Sequence, residues 1–182
     1  MTAKLFSIRN IIVTLSFLGA LIGIAVYFGN FSFSLTNPKS LEGKPAPEIS
    51  YQTPSGEDAS VKKSKGQAIL LNFWASWCDP CMAELPTLRA LENHFSGRGF
   101  LLLAFNLDDH PDKVQGKIQG KTKPRNLIFN FDRAAIRSYG INQLPLSVLI
   151  NHEGVVQQVY VGPRDWTDMS ILKEISASLR PY

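Results

Sequence analysis

The sequence predicts an α/β domain with a mixed β-sheet, from three kinds of segment. Two apolar runs of strand length, Ala68–Trp74 and Phe100–Asn106, are typical of central strands that are covered on both faces. Between them, from Leu85 to Phe95, large apolar residues recur at helical spacing. Two shorter runs near the end, Ser147–Ile150 and Val155–Val161, flank turn residues and predict a closing antiparallel hairpin. Strands that alternate with helices and end in a hairpin form a sheet with both parallel and antiparallel neighbours.

The remaining predicted elements are shorter or more polar. Turn residues from Thr53 to Gly56 predict a leading hairpin ahead of the central strands. Asp132 is a suitable N-cap for a short helix that Gly140 ends. The hairpin strands are predicted at Ile49–Tyr51 and Ala59–Val61, and the short helix is predicted to run through Tyr139. A polar helix is predicted from Pro111 to about Lys121, and a strand at Leu127–Phe131. The last element is a terminal helix, Asp165–Leu179, in which Trp166, Met169, Leu172 and Ile175 share one face.

The amino terminus carries an uncharged apolar segment of membrane-spanning length. The eighteen residues Ile11–Phe28 contain no charged side chain, and a helix of that length nearly crosses about 30 Å of hydrocarbon. Lys4 and Arg9 precede it, so the amino terminus is predicted to stay in the cytoplasm while the rest of the chain faces outward. A cleaved signal peptide is the alternative, but no small-residue cleavage pattern follows the segment.

These features divide the chain into four predicted parts. Residues 1–10 form a cytoplasmic amino terminus, and residues 11–28 form a transmembrane signal anchor. Residues 29–47, which include three prolines, form a linker, and residues 48–182 form the folded domain.

Composition excludes several classes of protein. The hydrophobic content of 45% and the charged content of 19% are those of a globular rather than a disordered protein. The formal net charge of +4 is dispersed, without the basic runs interleaved with aromatic residues that indicate nucleic-acid binding. The 2 cysteines are too close in sequence to build a framework of structural disulfides, so their purpose is predicted to be local.

The two cysteines, Cys78 and Cys81, lie where the first buried strand runs directly into the helix. Free backbone N–H groups and the positive end of the helix dipole stabilise a thiolate there, and such sites lower a cysteine pKa from about 8.5 to roughly 3.5–7.5. Cys78 is therefore predicted to be the nucleophile. Cys81 follows one turn later on the same face, so it is predicted to attack the mixed disulfide that Cys78 forms with a substrate. The charge of Asp79 partly opposes the stabilisation of that thiolate.

Other uses of the cysteine pair fit the sequence less well. A c-type haem site requires His directly after the second cysteine, where Met82 stands. A zinc site requires about four ligands, and His94, His110 and His152 show no ligand spacing. A disulfide that encloses two residues restricts the unfolded chain too little to stabilise a fold much. We therefore predict a redox-active Cys78–Cys81 disulfide, without a metal or a cofactor.

The segment Asn72–Cys81, which reads NFWASWCDPC, resembles the thioredoxin superfamily. Its continuation to Pro86, together with the apolar amino-terminal segment and the leading hairpin, is similar to the TlpA/ResA-like group of membrane-anchored thiol-disulfide oxidoreductases. The resemblance covers about residues 41–180, and its cysteine motif is its most specific part. It implies a thioredoxin-like fold whose mixed central sheet is flanked by helices, with an N-terminal β-hairpin extension and an N-terminal transmembrane helix.

The resemblance also assigns further residues to the site. It implies that Leu144–Pro145 is a cis peptide facing the dithiol, where the backbone of Leu144 pairs with a substrate strand. An ordinary trans proline is the alternative. Trp77 is placed beside the dithiol and is assigned, with Leu144 and Pro145, to substrate binding.

Glu84 has two interpretations. It lies three residues after Cys81 on the same helix, so its carboxylate is placed to exchange protons with the second sulfur. In the family that the chain resembles, a Glu at this position is associated with the active site. The alternative is a carboxylate that only favours the helix dipole. Asn72 stands where cytoplasmic thioredoxins carry a buried Asp, which leaves the proton relay to Glu84.

The resemblance implies reduction of disulfides in partner proteins, among them apocytochromes in cytochrome c maturation. The partners are disulfide-containing or dithiol proteins outside the cytoplasm, and the electron donor is a membrane thiol carrier. The expected location is the bacterial inner membrane, crossed once, with the carboxy-terminal domain facing the periplasm or the cell exterior. Two alternatives remain open: a disulfide-forming oxidant, and a chaperone that binds copper through Cys78 and Cys81.

Overall fold

The computed structural model describes Val13 and residues 18–20, 37–64, 66–108 and 110–179. Among these residues, no helix combines the length and the apolar character that crossing a membrane requires. The predicted anchor at residues 11–28 lies outside the described residues except for Val13 and residues 18–20, which are helical.

The described residues between 37 and 179 form seven strands and four α-helices. The strands are β1 (Ser50–Gln52), β2 (Asp58–Ser60), β3 (Ala68–Trp74), β4 (Phe100–Asn106), β5 (Leu127–Ile128), β6 (Leu146–Ile150) and β7 (Val156–Val161). The helices are α1 (Asp79–His94), α2 (Pro111–Ile118), α3 (Ala134–Ser138) and α4 (Met169–Ser178).

The central sheet has five strands in the order β5-β4-β3-β6-β7. β3 pairs in parallel with β4 and antiparallel with β6, and β7 pairs antiparallel with β6, so the predicted mixed sheet is confirmed. β1 and β2 form a separate antiparallel hairpin. All seven residues of β3 are buried, which explains why this strand is a continuous apolar run instead of an alternating one.

The two faces of β3 contact different layers. Leu70 and Trp74 point toward a core that α1 and α4 cover, whereas Leu71 and Phe73 point toward a second core that includes Tyr139 after α3. Because side chains alternate along a strand, Asn72 points to the same face as Leu70 and Trp74. The one polar residue of β3 therefore faces helix α1.

Helix α1 agrees with the helical spacing of its apolar residues. Leu85, Leu88 and Leu91 are buried, and Phe95 caps the carboxy end of the helix. Pro80 occupies the first turn, where its missing N–H has no intrahelical acceptor.

The terminal helix is shorter than predicted, because α4 begins at Met169 instead of Asp165. Asp165 accepts a hydrogen bond from the Thr167 amide (2.9 Å), which forms a local turn, and Asp168 is the N-cap. Of the four residues predicted to share its apolar face, Trp166 and Ile175 are buried and Leu172 packs against the same core, so the prediction is wrong for Met169 alone. Met169 is 77% exposed, and the buried residues of α4 are Ile171, Ile175 and Ser178.

Other boundaries differ by smaller amounts. The leading hairpin strands are shifted by one residue from the predicted bounds, β5 ends at Ile128, and α2 ends at Ile118. Arg133, not Asp132, is the N-cap of α3, although Asp132 accepts a hydrogen bond from the Ala134 amide (2.9 Å). Local hydrogen bonds such as the one accepted by Asp132 shape the start of a helix, and hydrophobic periodicity does not encode them.

Candidate active site

The cysteine pair lies at the junction of β3 and α1, as predicted. Cys78 is the N-cap of α1, and its Sγ accepts a hydrogen bond from the Cys81 amide (3.3 Å). The two sulfurs form a disulfide, with the Cα atoms 5.3 Å apart. Cys81 is fully buried and Cys78 is 6% exposed. Only Cys78 presents any surface to a substrate, which agrees with its predicted role as nucleophile.

A cleft of about 670 Å³ opens beside Cys78. Its walls come from the turn before α1, from Leu107 after β4, and from the segment between α3 and β6 that contains Ile141 and Leu144. Trp77 lies on the rim and is 65% exposed, so burial in the core does not explain why a tryptophan stands at this position. An exposed aromatic ring beside a reactive sulfur is suited to contact a bound polypeptide.

The Leu144–Pro145 peptide bond is cis, as expected. Leu144 is half-buried and lines the cleft together with Cys78, whereas Pro145 is buried. The structure therefore brings together all three residues that were assigned to substrate binding.

Glu84 lies in a buried hydrogen-bonded network. It is 3% exposed, and its Oε1 accepts a hydrogen bond from Asn72 Nδ2 (2.8 Å). Its Oε2 accepts from Trp166 Nε1 (3.2 Å) and from the backbone N–H of Arg164 (3.3 Å). Asn72 Nδ2 also donates to Ser147 Oγ (2.9 Å), two residues after Pro145. A carboxyl that only favoured the helix dipole would face solvent, so this burial supports the first interpretation of Glu84.

Burial raises the pKa of Glu84, and the hydrogen bonds from Asn72, Trp166 and Arg164 offset part of that rise. All three donors are N–H groups, which suit an ionised carboxylate, whereas burial favours the neutral acid. The two effects compete, so the group changes protonation closer to neutral pH than an exposed Glu does.

Asn72 is able to serve both protonation states of Glu84. Its Oδ1 is buried and has no hydrogen-bond partner among the described residues. A side-chain amide that rotates by half a turn exchanges its donor for its acceptor. Through Oδ1, a reversed Asn72 amide accepts a hydrogen bond from the O–H of neutral Glu84, whereas in the present orientation Nδ2 donates to the carboxylate.

Asp108 joins two of the three segments that form the walls of the cleft, the turn before α1 and the loop after β4. Its carboxylate accepts hydrogen bonds from the Ser76 amide (2.7 Å), Ser76 Oγ (2.6 Å) and Asn106 Nδ2 (2.7 Å). Burial acts to raise the pKa of Asp108, but these hydrogen bonds outweigh it and the pKa is lowered. Ser76 is two residues before Cys78, so the ionised Asp108 holds the turn that carries the nucleophile.

Sequence reasoning missed Asp108, Ser147, Trp166 and Arg164 as parts of this region. One available signal was the sheet order, because the carboxyl ends of adjacent parallel strands meet at the same edge and bring Asp108 near Ser76. Nothing in the local pattern indicated Trp166, which was assigned to the face of a helix.

Within the described part of the chain, no group of three or more His, Cys, Asp or Glu side chains is arranged to hold a metal ion.

The sequence profile of the AhpC/TSA family matches residues 43–159. The chain belongs to this family of thioredoxin-like proteins. It is 30% identical to the thiol-disulfide oxidoreductase ResA of Bacillus subtilis (strain 168), over 84% of this chain and 81% of ResA. It is 32% identical to the thioredoxin-like protein YneN of the same organism, over 66% of this chain and 72% of YneN.

Solved structures agree with these relatives. A thiol:disulfide interchange protein of the thioredoxin family from Chlorobium tepidum TLS is 27% identical, with a TM-score of 0.64 over 75% of this chain and 96% of that chain. StoA from Bacillus subtilis is 26% identical, with a TM-score of 0.59 over 72% of this chain and 98% of that chain. The thioredoxin-like fold and the ResA-like resemblance are thus confirmed, and this AhpC/TSA-family chain is a thiol-disulfide oxidoreductase with a Cys78–Cys81 pair.

Proposed function

We propose that the chain works in the reductive direction, on disulfides of proteins outside the cytoplasm, with apocytochromes c among its substrates. The observation that carries the direction is the charge of the cleft. Among the described residues that line it, the only charged side chain is Asp79, directly after the nucleophile. No lysine, arginine or histidine of this lining stabilises a Cys78 thiolate.

The charge of the cleft affects the direction of electron transfer because it changes the stability of the dithiol relative to the disulfide. Strong disulfide-forming oxidants owe their high potentials to a stabilised reduced form, in which the nucleophilic thiolate has favourable partners. Here the negative Asp79 opposes that thiolate, and a second acidic group, Glu84, is buried three residues beyond Cys81. Both effects favour the disulfide over the dithiol, which makes the dithiol the better reductant.

The reaction begins with the reduced pair. The Cys78 thiolate attacks a substrate disulfide, forms a mixed disulfide and releases one substrate sulfur as a thiolate. Cys81 then gives its proton to Glu84 and attacks Cys78 Sγ, so the Cys78–Cys81 bond forms as the bond to the substrate breaks. The second substrate sulfur leaves as a thiolate, and both substrate thiolates take protons from water. Two electrons pass from the dithiol to the substrate, and the resulting disulfide is the state of this structure.

Substrate trapping tests this proposal. A Cys81→Ala chain lacks the resolving thiol, so we expect it to hold its partners on Cys78 as mixed disulfides that dithiothreitol reduces. Mass spectrometry identifies the partners, and thiol labelling compares their redox state in cells with and without the chain. Cysteines that become oxidised when the chain is deleted support the reductive direction.

A Cys78→Ala/Cys81→Ala chain is the control and is expected to trap nothing. Partners that lose their disulfides when the chain is deleted would show an oxidant instead. A chain that traps no partner but binds one copper ion tightly through the two cysteines would contradict the oxidoreductase proposal in favour of a metal chaperone.

We also propose that residues 11–28 anchor the domain to the inner membrane, with the domain outside and a membrane thiol carrier as electron donor. The support is the uncharged run of eighteen residues preceded by Lys4 and Arg9. Alkaline phosphatase, which is active only outside the cytoplasm, fused after Tyr182 is expected to be active and to sediment with membranes. An active fusion in the soluble fraction would indicate cleavage, and an inactive fusion would place the domain in the cytoplasm.

A further inference from the structure

The segment between β7 and α4 connects the buried acid to the cis-proline turn. We call residues 162–166 the strap. Its first residue, Gly162, donates a backbone hydrogen bond to the Pro145 carbonyl (2.9 Å). Its last, Trp166, donates through Nε1 to Glu84 Oε2 (3.2 Å), and the Arg164 backbone N–H donates to the same oxygen (3.3 Å). The strap thus contacts both the substrate-facing turn and Glu84.

Packing holds the indole ring of Trp166 in place. The ring is 1% exposed and belongs to the core that α1 and α4 cover. It meets the ring of Tyr160 edge to face, with centroids 5.4 Å apart and planes at 83°. Indole has a single N–H donor, and the core directs this one at Glu84. A donor carried by a packed ring has little freedom to follow the carboxyl, so the carboxyl must stay where the ring places it.

Each oxygen of Glu84 has donors from a different part of the fold. Asn72 on β3 holds Oε1, and the strap holds Oε2 with two N–H groups. This arrangement determines the rotation of the carboxyl plane and favours its ionised form in a buried place. An ionised and correctly rotated carboxylate is what removal of the Cys81 proton requires.

We propose that Trp166 is a positioning residue for Glu84, and that it keeps this carboxyl ionised and oriented so that it accepts the proton of Cys81 when the mixed disulfide is resolved. The inference rests on the proton transfer to Glu84 proposed above. The hydrogen bond from Trp166 ends on Glu84 and not on a sulfur, so Trp166 acts on the reaction through Glu84.

The test follows one step of the reaction in a Trp166→Phe variant. Reduced protein is mixed with one equivalent of the disulfide 5,5′-dithiobis(2-nitrobenzoate). The attack by Cys78 forms the mixed disulfide and releases one coloured thiolate, and the release of the second coloured thiolate reports the attack by Cys81. Phenylalanine keeps most of the aromatic volume but has no N–H. We expect the inflection of the rate–pH profile to move to higher pH, because the ionised carboxylate loses a donor, and the rate at pH 7 to fall about tenfold.

Tyr160→Phe is the matched control. It alters the other ring of the same aromatic pair and removes the hydrogen bond from the Tyr160 hydroxyl to Glu174, which is not a partner of Glu84. We expect its inflection to match that of the wild type. An unchanged inflection in Trp166→Phe overturns the proposal, and an equal displacement in both variants assigns the effect to loosened packing and overturns it too.

A second measurement needs no Trp166 variant to fold. The chain has 3 tryptophans, so labelling with ¹⁵N gives three indole N–H signals at most, and the Trp166 signal of the wild type is expected to move with pH as Glu84 titrates. In Glu84→Gln this movement is expected to vanish. A Trp166 signal that does not follow Glu84 overturns the inference.

The two hypotheses fail in different ways. If Glu84→Gln resolves the mixed disulfide as fast as the wild type, then Glu84 accepts no proton in this step and the proposed mechanism fails. If Glu84→Gln is slow but Trp166→Phe has the wild-type profile, only the role of Trp166 is wrong.

Discussion

Replacing Cys78 by alanine is expected to abolish disulfide reduction, with a loss of at least about a thousandfold. Cys78 is the N-cap of α1 and the only cysteine with exposed surface, whereas Cys81 is fully buried. No other described side chain in the cleft is able to form the mixed disulfide. The measurement is the reduction of insulin by dithiothreitol, whose precipitation the wild type accelerates.

The difference in exposure between the two cysteines allows a control experiment on the unmutated protein. In the reduced chain, iodoacetamide is expected to modify Cys78 at least about tenfold faster than Cys81, because the thiolate reacts and burial protects the second thiol. Peptide mass spectrometry after brief alkylation measures the ratio. Faster modification of Cys81, or residual reductase activity in Cys78→Ala, would show that the roles of the two thiols are assigned the wrong way round.

Replacing Glu84 by glutamine is expected to slow the resolving step about a hundredfold at neutral pH, which is the low end of the usual effect of a general base. Glutamine has nearly the same shape and accepts hydrogen bonds, but it cannot take the proton from Cys81. The mixed disulfide should therefore accumulate, while its formation by Cys78 is unchanged. Stopped-flow measurement of the two steps separates these effects.

Helix α1 offers a matched control for this substitution. Glu92 is also buried, at 7% exposure, but its carboxylate accepts hydrogen bonds from Arg89 and from the Arg125 backbone and not from the donors that hold Glu84. Glu92→Gln is expected to leave the resolving rate unchanged. Equal slowing in both variants would mean that any lost buried charge on α1 disturbs the site, and would remove the assignment of Glu84 as the base.

The same substitution has a consequence for the stability of the oxidised protein. Burial raises the pKa of Glu84 in the folded state, so the folded protein holds this proton more tightly than the unfolded chain does. The stabilisation is complete below the ordinary Glu pKa and is lost as the pH rises through the raised, folded value. In urea unfolding at a series of pH values, the free energy of unfolding should decline less across this window for Glu84→Gln than for the wild type.

Several features of the molecule follow from local pattern alone. The burial of β3 and β4 follows from their continuous apolar runs, and the buried stripe of α1 follows from helical spacing. The location of Cys78 at the start of α1 follows from the meeting of these two patterns. Such features depend on neighbours within one element, whose geometry is the same in every strand or helix.

The errors occurred where a polar side chain competed with the regular pattern. In the terminal segment, apolar residues continue at helical spacing from Trp166, but the Asp165 carboxylate binds the Thr167 amide and α4 starts at Met169. Trp166 is thereby freed from the helix and turned toward Glu84. A local hydrogen bond of this kind makes the helix start one turn later, and the spacing of apolar residues does not reveal it.

By itself the sequence determined the sheet-and-helix class, the strand-to-helix turn and the dithiol on it, because these depend on residues within a few positions of one another. Only the tertiary structure decided that Glu84 is a buried acid. Its partners Asn72 and Trp166 are 12 and 82 residues away, and Ser147 is 75 residues from Asn72. These groups meet because β3 lies beside β6 and α1 covers the face to which Asn72 points, an arrangement set by how the layers pack and not by any spacing along the chain.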